Sequence, residues 1–314
     1  MEDSKKTYIK LFVISSSLVL IKYLISYIYF FDEDLFLKIL RLNDIEYLMI
    51  VESLSRLDLK TDWSNIFEAQ KIIGFPLFSV IWHSIFFYFI KYYSILILEI
   101  SFFFLLCLIL LKFTIDLKIK KDQSLFIIIS LLIIIEILKI SANIYGLEIS
   151  NLIKLPLSEF IGIRFPRPLV TSIYFFSILF CLQKVADNQN FDKSKKYLIF
   201  LSLSLLFLIN SFFYLFIVSS ILTFFILIKK FKSKIISLFL ENLYFFFKCI
   251  FIISIGFLIL FVQNYFSEDD YSYRIGLYTL NLYDKIYILK HLFIKIFQLE
   301  IIVLILTSLY LKNY

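Results

Sequence analysis

The sequence contains few of the residues that form turns, disulfides and metal sites. Its 314 residues include five glycines, four prolines, three cysteines and two histidines. So little glycine and proline argues against flexible linkers and predicts a single integral membrane domain over residues 1–314. Cys107, Cys181 and Cys249 lie far apart in apolar runs. This is not the paired spacing of a disulfide framework or a zinc-binding knuckle.

Motifs for nucleotides and metals are also missing. Because the sequence has no glycine-rich phosphate loop, we do not expect ATP or a nucleotide sugar as a direct substrate. Neither His-x-x-His nor Cys-x-x-Cys occurs. Asp32 and Asp34 form a minimal Asp-x-Asp pair that could hold a divalent cation, but no further ligand type accompanies it. The sequence therefore predicts no metal site and no cofactor.

Apolar residues dominate the chain. Hydrophobic residues make up 61% and aromatic residues 20%, and the mean hydropathy is +0.89. These values lie beyond those of soluble globular domains. Several uninterrupted apolar runs approach the roughly 20 residues that a helix needs to cross a bilayer. The sequence predicts an all-α fold, a polytopic transmembrane helical bundle with the lipid bilayer as its main partner.

The positive charge is arranged in clusters. The net charge is +7, and lysines concentrate within residues 5–10, 112–121, 184–196 and 229–234. In a membrane protein such clusters indicate cytoplasmic segments rather than nucleic-acid binding, so we expect about eight spans with both termini in the cytoplasm. The predicted spans cover residues 8–31, 93–113, 124–142, 168–186, 197–211, 212–229, 246–265 and 294–312. The first, second and fourth extracytoplasmic loops are then 32–92, 143–167 and 266–293.

The first loop is predicted to contain two surface helices. Residues 74–91 are long enough to cross the membrane, but counting them as a span would invert every later lysine cluster. We therefore expect an interfacial helix, with Ser79 and His83 as a polar stripe in which His83 contacts lipid headgroups. Upstream, a second helix is predicted to have an apolar face formed by Ile50, Leu54 and Leu57.

Three segments follow one another in a familiar order. An acidic motif, "FDEDLFLKIL" (31–40), follows the first helix; "GFPLFSVIWHSIFFYF" (74–89) contains Pro-Leu-x-x-x-x-Trp; and "SILILEISFFFLLCLILLKF" (94–113) forms the next span. Over about residues 8–230 this order resembles the GT-C class of membrane glycosyltransferases, among them mannosyltransferases and aminoarabinose transferases. The resemblance implies transfer of a sugar from a polyprenyl-phosphate donor to an extracytoplasmic acceptor. It also implies cell-envelope glycan assembly at a bacterial inner (plasma) membrane.

The resemblance assigns catalysis to the acidic motif. An acceptor hydroxyl must lose its proton as it attacks the sugar, and a carboxylate at the membrane boundary is a suitable base because desolvation raises its pKa. The candidates are Asp32, Glu33 and Asp34, of which we favour Asp32. The alternative is structural: Asp32 caps the following helix, while Glu33 and Asp34 complement its dipole.

A lipid-phosphate leaving group calls for cations on the outer side. Arginine binds phosphate through two parallel hydrogen bonds, and Arg164, Arg167 and Arg274 fall in the predicted outer loops. We count these arginines and His83 as candidate substrate-binding residues. The alternative for the arginines is that they extend to lipid headgroups.

The sequence departs from the family at the fourth span. Many members carry an acid shortly after an arginine there, whereas this chain continues from Arg167 with Pro168 and Leu169. A second acid would have to come from Glu148 or Glu159, and we include Glu159 among the substrate-binding candidates.

Three other functions remain open. An O-antigen-type polymerase would have its large outer loop late in the chain, whereas the largest loop here is the first. A transporter or flippase for lipid-linked sugars would have two similar halves and acids at mid-membrane. A catalytically inactive membrane scaffold would explain the absence of a second acid at the family position.

Overall fold

A computed structural model describes residues 2–29, 45–58, 77–129, 169–188, 190–231, 235–266 and 286–287. Within these ranges the chain is helical, with short turns between helices and no strand. The helices are α1 (Glu2–Tyr29), α2 (Ile45–Ser55), α3 (Leu77–Ile90), α4 (Tyr93–Asp116), α5 (Leu169–Asp187), α6 (Phe191–Ile209), α7 (Phe213–Phe231), α8 (Ile235–Glu241) and α9 (Leu243–Phe266). Residues 121–129 are also helical.

Four of these helices are long and apolar enough to cross a membrane. They are α4, α5, α7 and the part of α9 from Leu243 to Gln263. The all-helical fold is therefore confirmed for the described residues, and the length and composition of these four helices support the predicted membrane character. The number of spans, about eight, stays a prediction. The predicted span 294–312 lies outside the described residues.

The start of α6 shows how local chemistry moves a helix boundary. The span predicted to begin at residue 197 belongs to a helix that begins at Phe191. Asn190 lies before it in an extended conformation, and its side-chain oxygen accepts a hydrogen bond from the backbone N–H of Asp192 at 2.8 Å. This N-cap satisfies one N–H group of the first turn, so the helix starts in the charged segment before the apolar run.

The core lies between α5, α6, α7 and α9. α6 packs against both α5 and α9, while α4 packs against α5 on one side and α1 on the other. Val170, Ile178 and Leu182 of α5 belong to one almost fully buried cluster with Leu208 and Ile209 of α6. The three cysteines are buried and unpaired, at positions 107, 181 and 249.

The ends of several helices meet in a region that we call the lysine-rich end. The ammonium of Lys184, near the end of α5, lies 2.5 Å from the carboxylate of Asp116, the last residue of α4. The ammonium of Lys230, near the end of α7, donates to the backbone oxygen of Ala186 at 2.6 Å. α6 begins four residues after α5 ends, so the lysines within 193–196 lie at this end too. The assignment of this end to the cytoplasm stays a prediction.

α2 packs on α3 through Leu48 and Val51, and two of the three residues predicted for the apolar face, Ile50 and Leu54, pack beside them. Leu57 is 89% exposed and has a φ of 58°, so its assignment to the apolar face was wrong. The helix ends at Ser55, and the chain turns before helical periodicity reaches residue 57. Ile50 and Leu54 lie at the margin of the contact, whose buried members are Leu48, Val51, Val80, Phe87 and Ile95.

Candidate functional site

Most of the predicted site residues lie outside the described part of the chain. These are Asp32, Glu33, Asp34, Glu159, Arg164, Arg167 and Arg274. His83 is the one predicted site residue within the described ranges, and it lies on α3. The description of the candidate site therefore starts from α3. This helix lies between α2 and the candidate span α4.

α3 turns its polar residues inward. Ser79 and His83 are 0% and 2% exposed, whereas Tyr88 and Phe89 are 62% and 74% exposed. The prediction that this polar stripe meets lipid headgroups was therefore wrong. Aromatic side chains pack favourably against lipid, while small hydroxyl side chains let a helix approach its neighbours closely. α3 thus presents its aromatic surface outward and its serines to the bundle.

A hydrogen-bonded chain fixes the first half of α3 to α5. The indole N–H of Trp82 donates to the phenolic oxygen of Tyr174 at 2.8 Å. The hydroxyl of Tyr174 donates in turn to the backbone oxygen of Phe78 at 3.0 Å. The ring of Phe207, on α6, packs against the rings of Phe78 and Tyr174 with centroids 5.2 and 5.3 Å away. Three helices are therefore joined by two hydrogen bonds and one aromatic cluster.

Asn210, in the turn between α6 and α7, extends this network to α9. Its backbone oxygen accepts from the N–H of Phe78 at 3.3 Å, which satisfies a donor in the first turn of α3. Its side-chain amide donates to the backbone oxygens of Gly256 at 3.1 Å and Leu206 at 3.3 Å. The residue is 0% exposed. Asn210 therefore connects α3, α6 and α9 at one point.

Buried oxygen atoms with unused hydrogen-bonding capacity lie beside this connection. The side-chain oxygens of Ser79, Asn210 and Ser211 are buried and have no hydrogen-bond partner among the described residues. Ser79 follows Phe78 and Ser211 follows Asn210, so the backbone contact between Phe78 and Asn210 brings all three residues into one region. Leaving such groups unsatisfied costs about 1–3 kcal/mol each, which marks this region as a candidate for polar ligand contacts.

His83 is a buried, neutral imidazole. Its ring packs edge-on against Phe102 of α4, with centroids 5.5 Å apart. Burial lowers the pKa of His83 to about 3, and a hydrogen bond to the Ser79 backbone opposes this more weakly. A neutral imidazole can donate or accept a hydrogen bond, but it does not supply the positive charge that a phosphate group attracts. Its assignment to substrate binding stays a prediction, and its observed contact is with the α3–α4 interface.

The network and the lysine-rich end lie at opposite ends of the bundle. Tyr174 lies in the second turn of α5 and Asn210 follows the last residue of α6, whereas Lys184 lies in the last turn of α5 and α6 begins beside it. The 19 residues of α5, which runs between the two regions, span roughly 28 Å at 1.5 Å per residue. We call the region of Trp82, Tyr174 and Asn210 the network end.

Metal-binding clusters are not found in the described ranges. No group of three or more histidine, cysteine, aspartate or glutamate side chains is placed there to hold an ion. The acids of the predicted Asp-x-Asp pair, Asp32 and Asp34, lie outside those ranges. The prediction of no cofactor stays a prediction.

The sequence contained signals for part of this network. Trp82 was noted as the end of the Pro-Leu-x-x-x-x-Trp pattern, but Tyr174 and Asn210 were not singled out. Asn210 is a polar residue between two apolar runs, and Gly256 lies in the middle of another. Such isolated residues in apolar helices often mark close helix contacts or interhelical hydrogen bonds.

Comparisons of the chain with protein families, with curated proteins and with solved structures find no match.

Proposed function

We propose that this chain is a membrane glycosyltransferase of the GT-C type. It would transfer one sugar from a polyprenyl-phosphate donor to an acceptor on the extracytoplasmic side of a bacterial inner membrane, in the assembly of a cell-envelope glycan. Both termini would lie in the cytoplasm, with about eight spans between them.

The observation that carries this proposal is the position of α3. In the family that the sequence resembles, a proline-containing segment follows the acidic motif, and the corresponding helix here would form the floor of the donor groove. Here α3 is held by Trp82, Tyr174 and Asn210 at the end opposite the lysine-rich end. The lysine-rich end suits the cytoplasm. The network end is then the extracytoplasmic working face.

The buried oxygens at the network end add chemical support. Sugar hydroxyls are hydrogen-bond donors, and the oxygens of Ser79, Asn210 and Ser211 can accept. His83 would act as a positioning residue, because its ring packs between α3 and Phe102 and carries no charge near neutral pH.

The proposed reaction is a single inverting displacement. The acceptor oxygen attacks the anomeric carbon while the bond from that carbon to the polyprenyl-phosphate oxygen breaks. The carboxylate of Asp32, or of Glu33, accepts the hydroxyl proton. Arg164, Arg167 and Arg274 would neutralise the departing phosphate, a role in which guanidinium groups stabilise charge that develops as the bond breaks.

The test is sugar transfer in membranes. Membranes containing the wild type, Asp32→Asn or Glu33→Gln are supplied with a panel of radiolabelled polyprenyl-phosphate sugars. Loss of a general base lowers turnover by about 10²–10⁴-fold, and we expect this loss in one of the two variants at unchanged protein levels. Glu52→Gln is the matched control, because Glu52 lies on α2 in the same predicted loop and is paired with Arg56 in the turn after that helix. If neither substitution changes the activity, the acidic residues are not catalytic and the helix-capping interpretation holds.

A lipid-linked sugar transporter is the second candidate. Glu99 lies in α4, a candidate span, and is 9% exposed. Ionisable side chains inside membrane spans are costly and often mark transport paths. Movement of a labelled lipid-linked sugar across proteoliposomes, abolished by Glu99→Gln and without covalent transfer, would favour this function over the first.

A further inference from the structure

A groove of about 520 Å³ opens at the lysine-rich end between α4, α5 and α7. Its volume falls within the ~300–1,000 Å³ typical of small-molecule sites. The deeper part is apolar, with walls formed by Phe113 of α4, Leu179 and Leu182 of α5, and Ile226 of α7. We call it the lysine-end groove. On α5 its lining runs from Leu179 to Ala186, closer to the lysine-rich end than Tyr174 of the network, so ligand binding in it can be tested separately from the glycosyltransferase proposal.

The rim of the groove is polar and cationic. Lys229 and Lys230 line it one helical turn beyond Ile226, and Gln183 lies one turn beyond Leu179. Lys230 donates to the backbone oxygen of Ala186, another lining residue, at 2.6 Å. An ammonium group has three donors, so two remain for a ligand. Lysine at the rim and hydrocarbon below give the groove an amphipathic profile along its depth.

The positive charge of the rim is not neutralised within the groove. None of the described residues that line it is acidic. The carboxylate of Asp116 at the end of α4 lies 2.5 Å from the ammonium of Lys184 and is committed to that ion pair. Lys229 has no ion-pair partner among the described residues. The ammonium groups of Lys229 and Lys230 therefore lie at the rim of an apolar groove. This arrangement favours a ligand with one negative charge and a hydrocarbon chain.

The groove is also placed where such a ligand is abundant. Only 17% of the apolar stretch of α7 is buried within the described protein, so this helix has a broad surface available to lipid. Leu179 and Ala186 are seven residues apart on α5, and the groove thus extends about 10 Å along that helix. This depth admits part of an acyl chain below a headgroup at the membrane surface.

We propose that the lysine-end groove binds an anionic phospholipid. Its phosphate would lie between Lys229 and Lys230, and Gln183 would bind the polar part of the headgroup. One acyl chain would extend along Phe113, Leu179 and Ile226. Lysines near a membrane surface attract anionic lipids, and the apolar wall converts this general attraction into a defined site.

The experiment is lipid binding to the purified full-length chain in mild detergent, measured by native mass spectrometry. Phosphatidylglycerol and phosphatidylcholine are compared for the wild type and for Lys229→Gln/Lys230→Gln. Two lost lysine contacts weaken phosphatidylglycerol binding roughly 30-fold and leave phosphatidylcholine unchanged. The matched control is Lys193→Gln/Lys196→Gln, which removes the same charge at the same end outside the groove. We expect it to change binding less than threefold.

Two further variants separate a site from diffuse charge and from misfolding. Leu179→Trp fills the apolar part of the groove and is expected to reduce phosphatidylglycerol binding with all lysines present. Lys229→Arg/Lys230→Arg keeps the charge and is expected to retain binding, so it decides the matter if the glutamine variant does not fold. Inorganic phosphate at millimolar concentration should not compete.

Four results would overturn the proposal. These are equal binding of the two lipids, an equal loss in the control pair, unchanged binding in Leu179→Trp, and complete competition by inorganic phosphate. An equal loss in the control pair would assign the effect to the general charge of this end. Unchanged binding in Leu179→Trp would show that the lipid does not bind in the groove, which another segment of this chain could then occupy.

Discussion

Gly256 is the residue whose replacement tests the packing of the bundle most sharply. A Cβ atom added at this position would lie 2.8 Å from Cγ2 of Ile209 and 3.3 Å from the backbone Cα of Leu206. The side chain of Ile209 is fully buried and the backbone of α6 is fixed by its helix, so neither neighbour can yield easily. Gly256→Ala must therefore push α9 away from α6.

The expected magnitude follows from three opposing effects. Alanine favours a helix over glycine by about 1 kcal/mol. Overpacking of a closed contact costs about 1–3 kcal/mol. Separation of the helices also strains the hydrogen bond from Asn210 to the Gly256 backbone, and an interhelical hydrogen bond in a membrane protein contributes about 0.6 kcal/mol on average. We expect Gly256→Ala to lower the free energy of unfolding by about 1–2 kcal/mol.

The assay is reversible unfolding in mixed micelles of mild detergent and sodium dodecyl sulfate, followed by circular dichroism. Ser254→Ala is the control, because Ser254 lies on the exposed side of the same helix. Ile209→Ala removes the nearest clashing atom, so in that background the effect of Gly256→Ala should shrink by about 1 kcal/mol. The reasoning fails if Gly256→Ala is as stable as the wild type or gains the full helix propensity of alanine.

Two other predictions concern α3. Tyr174→Phe removes both bonds of that hydroxyl and is expected to cost about 1–3 kcal/mol and to raise amide hydrogen exchange in α3, whereas Tyr214→Phe, an exposed control, should change neither. Unchanged exchange in α3 would contradict the role of Tyr174. Because burial lowers the pKa of His83 to about 3, the unfolded chain binds a proton more readily below pH 6.5. Stability should fall as pH drops from about 6.5 towards 3, and less steeply in His83→Gln; identical pH profiles would refute this.

The larger features of the fold could be predicted because they depend on local composition. Continuous apolar runs indicated the spans that α4, α5, α7 and α9 occupy. The start of α6 moved because the Asn190 cap lets the helix begin in the charged segment before the apolar run. The lysine clusters likewise indicated which helix ends lie together, as the ion pair of Lys184 and Asp116 shows. Both signals depend on residues that are neighbours in the sequence, so they can be recognised without knowledge of tertiary contacts.

The site depended on contacts that periodicity does not encode. His83 was expected to face headgroups because a polar residue on an aromatic helix is usually exposed, yet it is buried against Phe102. Tyr174 and Asn210 bind residues about a hundred or more positions away in the sequence. Leu57 was assigned to a helical face that ends two residues earlier. For His83, Tyr174 and Asn210 a distant partner decides where the side chain lies, and for Leu57 the end of the helix does.

The orientation of the bundle is the central claim, because it places α3 and the network on the extracytoplasmic side. Lys91 and Lys118 form a matched pair for testing it: both are exposed turn residues with positive φ, and they flank α4 at its two ends. Each would be replaced by cysteine in a chain lacking the three native cysteines, and intact cells would be treated with a membrane-impermeant maleimide. The account predicts labelling at position 91 in intact cells and at position 118 only after permeabilisation. Labelling at 118 but not at 91 would contradict it.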